Sequence, residues 1–245
     1  MRLILPAGAP APDLARLYAY PDVPWVRANM VTSVDGAAAV GGRSRGLSSD
    51  ADRKLFALLR ALSDVILVGA GTARAERYSA VRPDELRPGL RDGRPPVPPI
   101  AVVTRRLSLD LASPLFTAAL PGCRTVVITT EEAPAELRAS ALRVADVIVA
   151  GLDSVDLAAA LHALAERGYP HVVTEGGPQL LGQLADEELL DELCLTVSPL
   201  IVRGGSGRIM SGPGPGSAGL LDLRHLLEDD GCLFCRYTRK PAAIT

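Results

Sequence analysis

The sequence predicts an α/β fold with three layers, α/β/α, in which a mostly parallel sheet has an antiparallel edge near the C-terminus. Short apolar runs alternate with segments of helical periodicity, and this alternation is typical of a parallel sheet that carries helices on both faces. The apolar runs that predict buried strands lie at 65–68, 100–104, 125–129, 144–149 and 171–174.

The first elements are a strand predicted at 25–32 and a turn at 33–36. A helix of about a dozen residues is expected next, because residues 48–50 supply capping oxygens and apolar residues then recur at helical spacing as far as Ser63. Further helical patterns occupy 134–143 and 155–167, between the later strands.

The C-terminal part contains two longer strand-like runs, 193–202 and 232–237, which are expected to pair antiparallel at one edge of the sheet. The stretch 204–219 between them is rich in Gly and Pro and predicts a loop. Residues 83–99 predict a second irregular loop for the same reason.

Domain organisation follows from the distribution of these signals. Strand patterns resume after both loops, so one domain is expected over 24–245. Residues 1–23, which include the Pro/Ala-rich segment 6–12, are predicted to be an N-terminal extension.

Composition excludes several classes of partner. The 245-residue chain has a formal net charge of −2 and 4% aromatic residues, whereas a nucleic-acid-binding protein needs a basic face and usually stacking aromatics. No uncharged apolar stretch is long enough to span a bilayer. Pro6 cuts the apolar run after Arg2 below the length of a secretory signal. We therefore expect a cytoplasmic protein that binds neither nucleic acid nor membrane.

The sequence lacks the motifs of several classes of enzyme. The two lysines, Lys54 and Lys240, stand outside any P-loop pattern, and no GxSxG or SxxK motif of a serine hydrolase is present. The three histidines show no metal-binding spacing, so no metal site is predicted. Cys232 and Cys235 form a CxxC pair in a predicted strand, where side chains three apart point to opposite faces.

Two glycine-rich turns follow predicted strands. The first, Gly69-Ala70-Gly71-Thr72, lets backbone N–H groups approach a phosphate or ribose, although a plain tight turn explains it equally well. The second, Glu175-Gly176-Gly177-Pro178, opens a helix whose N-terminus suits a pyrophosphate. Because parallel strands place their carboxyl ends at one edge, the two turns together favour a dinucleotide site.

Candidate substrate-side residues are polar and scattered. Glu175 ends a strand beside the second glycine turn, where a carboxylate accepts hydrogen bonds from a heterocycle or transfers a proton, or is simply a solvated acid. Asn29, Asp35, Ser44 and Arg60 are individually unremarkable and fit ordinary structural roles.

Taken in order, three segments resemble the pyrimidine reductase family of riboflavin biosynthesis. They are Arg27 to Gly36, Ser63 to Thr72 and Thr174 to Pro178. A fourth, Leu190-Asp191-Glu192-Leu193 followed by Ser198-Pro199-Leu200 and Gly204-Gly205, is similar to the closing signature of that family. The resemblance spans residues 24 to 210 approximately.

The resemblance implies a dihydrofolate-reductase-like fold, a homodimer and NADPH as the hydride donor. It implies the substrate 5-amino-6-(5-phosphoribosylamino)uracil, whose ribosyl chain is reduced to ribityl by hydride transfer to C1 of the opened sugar. The protein then contributes mainly alignment of the nicotinamide with that carbon.

The same resemblance implies the site residues. Asn29 and Glu175 are expected in catalysis, with Arg60 as the phosphate clamp and Asp35 shaping the turn beside the nicotinamide. The expected substrate-binding residues are Asn29, Asp35, Ser44, Arg60 and Glu175. The expected cofactor-binding residues are Gly69, Gly71, Thr72, Glu76, Thr104, Gly176, Gly177, Pro178, Gln179, Leu180 and Leu181. Independently of the resemblance, Arg105 or Arg106 is expected at a 2′-phosphate, because these arginines directly follow the strand predicted to end at Thr104.

Three departures from the family pattern leave alternatives open. Asn29 stands where bifunctional bacterial members often have Lys, which leaves the deaminated or the non-deaminated pyrimidine as substrate. Glu76-Arg77-Tyr78 replaces the usual Asp-Asp/Asn-Pro. The HxE and PCxxC motifs of the zinc deaminase are absent, so no deaminase activity is expected. The alternatives are a reductase of a pterin or dihydrofolate and a non-catalytic nucleotide-binding protein.

Overall fold

The structure is a computed structural model that describes residues 1–6, 13–91, 93–212 and 218–240. Most of the Pro/Ala-rich segment predicted at 6–12, and residues 213–217 of the loop predicted at 204–219, lie outside the described residues.

The described residues contain one ten-stranded sheet. Its strands are β1 (Arg2–Leu5), β2 (Trp25–Ser33), β3 (Val65–Gly69), β4 (Ile100–Val103), β5 (Val126–Thr129), β6 (Asp146–Val149), β7 (His171–Thr174), β8 (Glu192–Ser198), β9 (Leu221–Asp229) and β10 (Cys232–Arg239). The order across the sheet is β1-β9-β10-β8-β2-β7-β3-β4-β5-β6. Pairing is parallel from β8 to β6 and antiparallel among β8, β10, β9 and β1. This confirms the predicted mostly parallel sheet with an antiparallel edge.

Helices cover both faces of the sheet. They are α1 (Leu14–Leu17), α2 (Asp50–Leu62), α3 (Ala70–Ala75), α4 (Pro114–Thr117), α5 (Ala135–Val144), α6 (Leu157–Glu166) and α7 (Pro178–Asp186). In α2 the Ser49 hydroxyl accepts the Asp52 N–H at 3.1 Å, the cap that the sequence predicts. Leu55, Leu58 and Leu59 of this helix are buried against the antiparallel strands. Helices α6 and α7 bury their apolar residues on the opposite face, and the three layers are confirmed.

The antiparallel edge differs from the prediction in two ways. The strand predicted at 193–202 ends at Ser198, because Pro199 lacks an N–H and the Val202 N–H donates to the Asp35 carboxylate at 3.1 Å instead of to a strand. The prediction also missed β9, which lies between β10 and β1. Its sequence contains adjacent leucines and interspersed charges, which hide the alternation of a strand. The antiparallel pairing of β8 with β10 is confirmed.

A buried charge cluster joins β2 to this edge. Arg27 and Arg236 both donate to the Glu192 carboxylate, with Arg27 Nε 2.6 Å from Oε1 and Arg236 Nη2 2.8 Å from Oε2. Burial alone would raise the pKa of Glu192, but the two guanidinium groups outweigh it and lower the pKa to about 2. Arg236 also donates to the Leu17 carbonyl at 2.6 Å, so the cluster anchors the segment that precedes β2.

The cysteine pair behaves as strand geometry requires. Cys232 is buried on the α2 side, Cys235 is part-buried, and both are free thiols.

Within the described residues, no group of His, Cys, Asp and Glu side chains is arranged to hold a metal ion. In the same part of the chain, no helix has the length and apolar character needed to cross a membrane.

Candidate active site

The two glycine turns meet at the carboxyl edge of the parallel strands. β3 and β7 are neighbours, so the turns that follow them are adjacent, and the Gly69 N–H donates to the Gly176 carbonyl at 2.8 Å. A Cβ atom added to Gly177 would lie 2.2 Å from Thr72 Oγ1, whereas one added to Gly71 would meet nothing within 4 Å. The two turns are therefore in direct contact, and any residue other than glycine at position 177 would require Thr72 to move.

Helices α3 and α7 begin at these turns, with Gly69 and Gly177 as their N-caps, and neither cap makes a side-chain hydrogen bond. Their first N–H groups therefore point to the sheet edge, where helix dipoles favour an anion. Pro178 is the first residue of α7, as predicted. Leu181 is fully buried and its N–H donates to the Gly177 carbonyl at 2.9 Å.

Thr104 directly follows β4, the next strand along the same edge of the sheet. It is buried and donates its N–H to the Ile128 carbonyl at 2.9 Å. Arg105 and Arg106 come directly after it and are exposed. The expected contacts of these residues with a cofactor stay predictions.

Glu175 and Arg60 form a buried bidentate ion pair. Arg60 Nε lies 2.7 Å from Glu175 Oε1, and Arg60 Nη2 lies 2.8 Å from Oε2. The side chains are 12% and 3% exposed, respectively. Tyr78 donates its hydroxyl to Glu175 Oε2 at 2.5 Å. Two of the predicted substrate-side residues thus contact each other, and the fork that was expected to clamp a phosphate is turned to a carboxylate.

Asn29 lies close to Glu175 by strand register. Ala28 of β2 is level with Thr174, the last residue of β7, so Asn29 is the next residue of β2 and Glu175 is the first residue after β7. Asn29 is half-buried and is level with Cys194 of β8 on its other side.

Ser44 and Glu76 are also brought together. The Ser44 N–H and hydroxyl donate to Glu76 Oε1 at 2.8 and 3.1 Å. Both side chains line a cavity of about 250 Å³, which is also lined by Arg60, Arg77 and Tyr78. Glu76, expected at the cofactor, is therefore part of the same cavity wall as the predicted substrate residues.

Asp35 fastens the turn after β2 to the loop after β8. Its carboxylate accepts the Ser33 hydroxyl at 2.5 Å, the Arg203 N–H at 2.8 Å and the Val202 N–H at 3.1 Å. These hydrogen bonds lower the pKa of Asp35 to about 2, with the Ser33 hydroxyl the largest cause. The expected turn-shaping role agrees with this geometry, and no contact to a nicotinamide follows from it.

Tyr78 is the site residue that sequence reasoning missed. The signal was present, because the segment 76–78 departs from the family pattern, but sequence alone did not show which way the chain turns after α3. Arg77 adopts a φ of 56°, in the left-handed region, and this turn directs Tyr78 back to Glu175.

Fold and site together define a class of protein. A mainly parallel α/β sheet with two uncapped helix N-termini at its carboxyl edge, and a polar cavity beside them, is typical of enzymes that bind a dinucleotide. The model of the RibD C-terminal domain matches residues 24–231, and the chain belongs to that family. The sequence-based expectation of a riboflavin-biosynthesis pyrimidine reductase family is thereby confirmed.

Individual relatives agree with this assignment. The 2,5-diamino-6-ribosylamino-4(3H)-pyrimidinone 5′-phosphate reductase of Archaeoglobus fulgidus is 32% identical over 184 residues, 74% of this chain and 83% of the relative. The reductase of the same name from Aquifex aeolicus is 32% identical over 209 residues, 83% of this chain and 88% of the relative. A solved pyrimidine reductase-like protein from Corynebacterium diphtheriae is 30% identical, with a TM-score of 0.78 over 89% of this chain and 92% of that one.

Proposed function

We propose that the protein is an NADPH-dependent reductase that converts the ribosyl side chain of a phosphoribosylaminopyrimidine to a ribityl chain. The observation that carries the proposal is the meeting of the two glycine turns beside the Arg60–Glu175 pair. The glycine turns suit a diphosphate, and the ion pair suits a polar heterocycle. Both features lie at the sheet edge where α/β proteins bind ligands.

The residues present fit the cofactor. The N–H groups of α3 and α7 suit its diphosphate, and the absence of a side chain at Gly71 leaves room for close backbone contact. Exposed Arg105 or Arg106 would hold a 2′-phosphate. When bound, NADPH supplies the hydride. The protein's own residues align the substrate carbon and exclude water, since Glu175 and Arg60 hold the heterocycle and Asn29 lies next to Glu175.

Two substrates differ at one ring position and are both candidates. The uracil compound carries an oxo group at C2, and the 2,5-diaminopyrimidinone carries an amino group there. The names of the relatives from Archaeoglobus, Methanothermobacter and Aquifex favour the diamino compound. Both are to be tested, with dihydrofolate as a third compound.

The direct test is NADPH oxidation by the purified protein with each of these compounds in turn. We expect oxidation with a pyrimidine and none with dihydrofolate. Oxidation with dihydrofolate alone would move the proposal to a pterin reductase, and NADPH binding without oxidation of any compound would leave only a nucleotide-binding protein. Release of ammonia from the diamino compound would contradict the proposed lack of deaminase activity.

Glu175→Gln should lower kcat by an order of magnitude or more while the Kd for NADPH stays nearly unchanged. The amide cannot pair with Arg60 as a carboxylate does, so Arg60, which lines the cavity, loses its counter-charge. Glu166→Gln, an exposed glutamate on α6, is the matched control. Full activity of Glu175→Gln would show that the heterocycle binds elsewhere.

The homodimer implied by the resemblance is proposed on a specific surface. Cys235 and Leu226, and likewise Tyr237 and Leu223, are level across β10 and β9, so with Leu233 they share one face. The opposite face carries Phe234 and is buried by α2. Leu223 and Leu233 are 42% and 38% exposed, which leaves an apolar patch uncovered by described residues.

A Leu223→Glu/Leu233→Glu double variant should sediment as a monomer in analytical ultracentrifugation, where the wild type sediments as a dimer. Leu142→Glu, at an exposed leucine on α5, serves as the control and should leave the dimer intact. A monomeric wild type would contradict the homodimer, and a dimeric double variant would place the interface on another surface.

We also propose a cytoplasmic location for the protein.

A further inference from the structure

The end of α3 is built to aim one side chain. The Tyr78 N–H donates to the Ala73 carbonyl at 2.9 Å and the Arg77 N–H to the Arg74 carbonyl at 3.2 Å, the bond pair of a Schellman ending. The left-handed position of that ending, which glycine usually takes, is held by Arg77 with a φ of 56°. Backbone strain of this kind persists where the surroundings fix it, and it clusters at functional sites.

The side chain so aimed completes the hydrogen bonds of a buried carboxylate. Glu175 Oε2 accepts from Arg60 and from the Tyr78 hydroxyl, whereas Oε1 accepts only from Arg60. A carboxylate oxygen has about two acceptor directions, so the remaining capacity of Glu175 lies on Oε1. Burial raises the pKa of Tyr78 well above its usual value, and Glu175 adds to that effect, so the phenol remains a donor.

The same turn also orders a second part of the cavity lining. Glu76, the C-cap residue of α3, holds the N–H and hydroxyl of Ser44. Helix α3 begins at the glycine turn that suits the cofactor and ends, six residues later, at the turn that holds Glu175 and Ser44. One short rigid element therefore sets the distance between the two halves of the site.

We infer that Tyr78 is a positioning residue, which fixes the Glu175 carboxylate so that its Oε1 accepts an N–H of the aminopyrimidine ring. This inference rests on the proposed function. It assigns to Tyr78 a role in substrate orientation that acts through Glu175, with no contact to the cofactor. Removal of the hydroxyl leaves the Glu175 carboxylate held by Arg60 alone, with one hydrogen bond fewer to fix its orientation.

The test is a double-mutant cycle of Tyr78→Phe and Glu175→Gln, with Tyr169→Phe, a part-buried tyrosine outside the cavity, as the control. Tyr78→Phe should lower kcat/KM for the pyrimidine by roughly tenfold, with the Kd for NADPH changed by less than about twofold. In the Glu175→Gln background the same substitution should change kcat/KM by less than about twofold, because the carboxylate it positions is gone.

Two outcomes overturn the inference while the proposed reductase stands. One is a Tyr78→Phe protein with the kcat/KM of the wild type, and the other is an equal loss in both backgrounds. A wild type that oxidises NADPH with neither pyrimidine would instead contradict the proposed function. The cycle is then measured on the free energy of unfolding, which needs no substrate, and additive effects there would reject the Tyr78–Glu175 coupling itself.

Discussion

Replacing Glu192 by glutamine is expected to lower the free energy of unfolding by about 3–5 kcal/mol, the largest stability effect that the structure predicts. Glu192 is completely buried and is the carboxylate that compensates both Arg27, also completely buried, and Arg236. Glutamine keeps the shape of the side chain but leaves two guanidinium groups without a counter-charge in a region that excludes water. The cost comes from the stranded charges more than from the lost hydrogen bonds.

Urea denaturation measures this effect, with Glu228→Gln as the control. Glu228 pairs with Arg2 at 3.3 Å on the surface, where the two side chains are 28% and 75% exposed. An exposed pair of this kind contributes about 0–1 kcal/mol, so the control should stay close to the wild type. Equal losses in the two variants would show that the Glu192 cluster is hydrated and carries no special stability.

The Glu192 cluster also makes the free energy of unfolding depend on pH, in a direction that its pKa determines. The pKa of Glu192 is about 2 in the folded protein and near 4.5 when the chain is unfolded. Its contribution to stability is therefore fully present above about pH 4.5 and is lost as the pH falls from there to about 2. The glutamine variant should lack this part of the acid transition.

The central strands were predictable because they are buried on both faces and read as continuous apolar runs. The runs before Gly69 and Glu175 appear in the structure within a residue or so of their expected bounds. Strand β9 was not predictable in this way, since buried His225 is polar while Leu226, on the other face, is apolar, and the bulge near Arg236 shifts the register. Its place is decided by its partners β10 and β1, which local sequence does not reveal.

The candidate site likewise has residues that local sequence could predict and residues that it could not. Glycine turns signal their backbone geometry locally, so Gly69, Gly176 and Gly177 were found from sequence and lie at one edge. The contact of Arg60 with Glu175 spans 115 residues and depends on how α2 packs on the sheet. Sequence reasoning assigned these two residues to separate tasks, a phosphate and a heterocycle, because nothing local shows that one neutralises the other.

Gly177→Ala should weaken NADPH binding by roughly 10–100-fold, or about 1.4–2.8 kcal/mol, with kcat at saturating NADPH little changed. The new methyl group would lie 2.2 Å from Thr72 Oγ1, so Thr72 must shift, and we expect its displacement to move the start of α3 away from that of α7. The N–H groups of α3 and α7 then no longer point to one place, and each anion contact lengthens.

The control and the rescue follow from the same geometry. Gly219→Ala, outside both turns, adds a methyl group that meets nothing within 4 Å and should bind NADPH as the wild type does. Thr72→Ala removes the clashing oxygen and leaves the nearest atom of Thr72, its Cβ, at 3.5 Å from the added methyl group. The Gly177→Ala/Thr72→Ala protein should therefore recover part of the affinity lost in Gly177→Ala, as measured by fluorescence titration with NADPH. If Gly177→Ala alone binds NADPH like the wild type, the contact between the two turns does not shape the cofactor site.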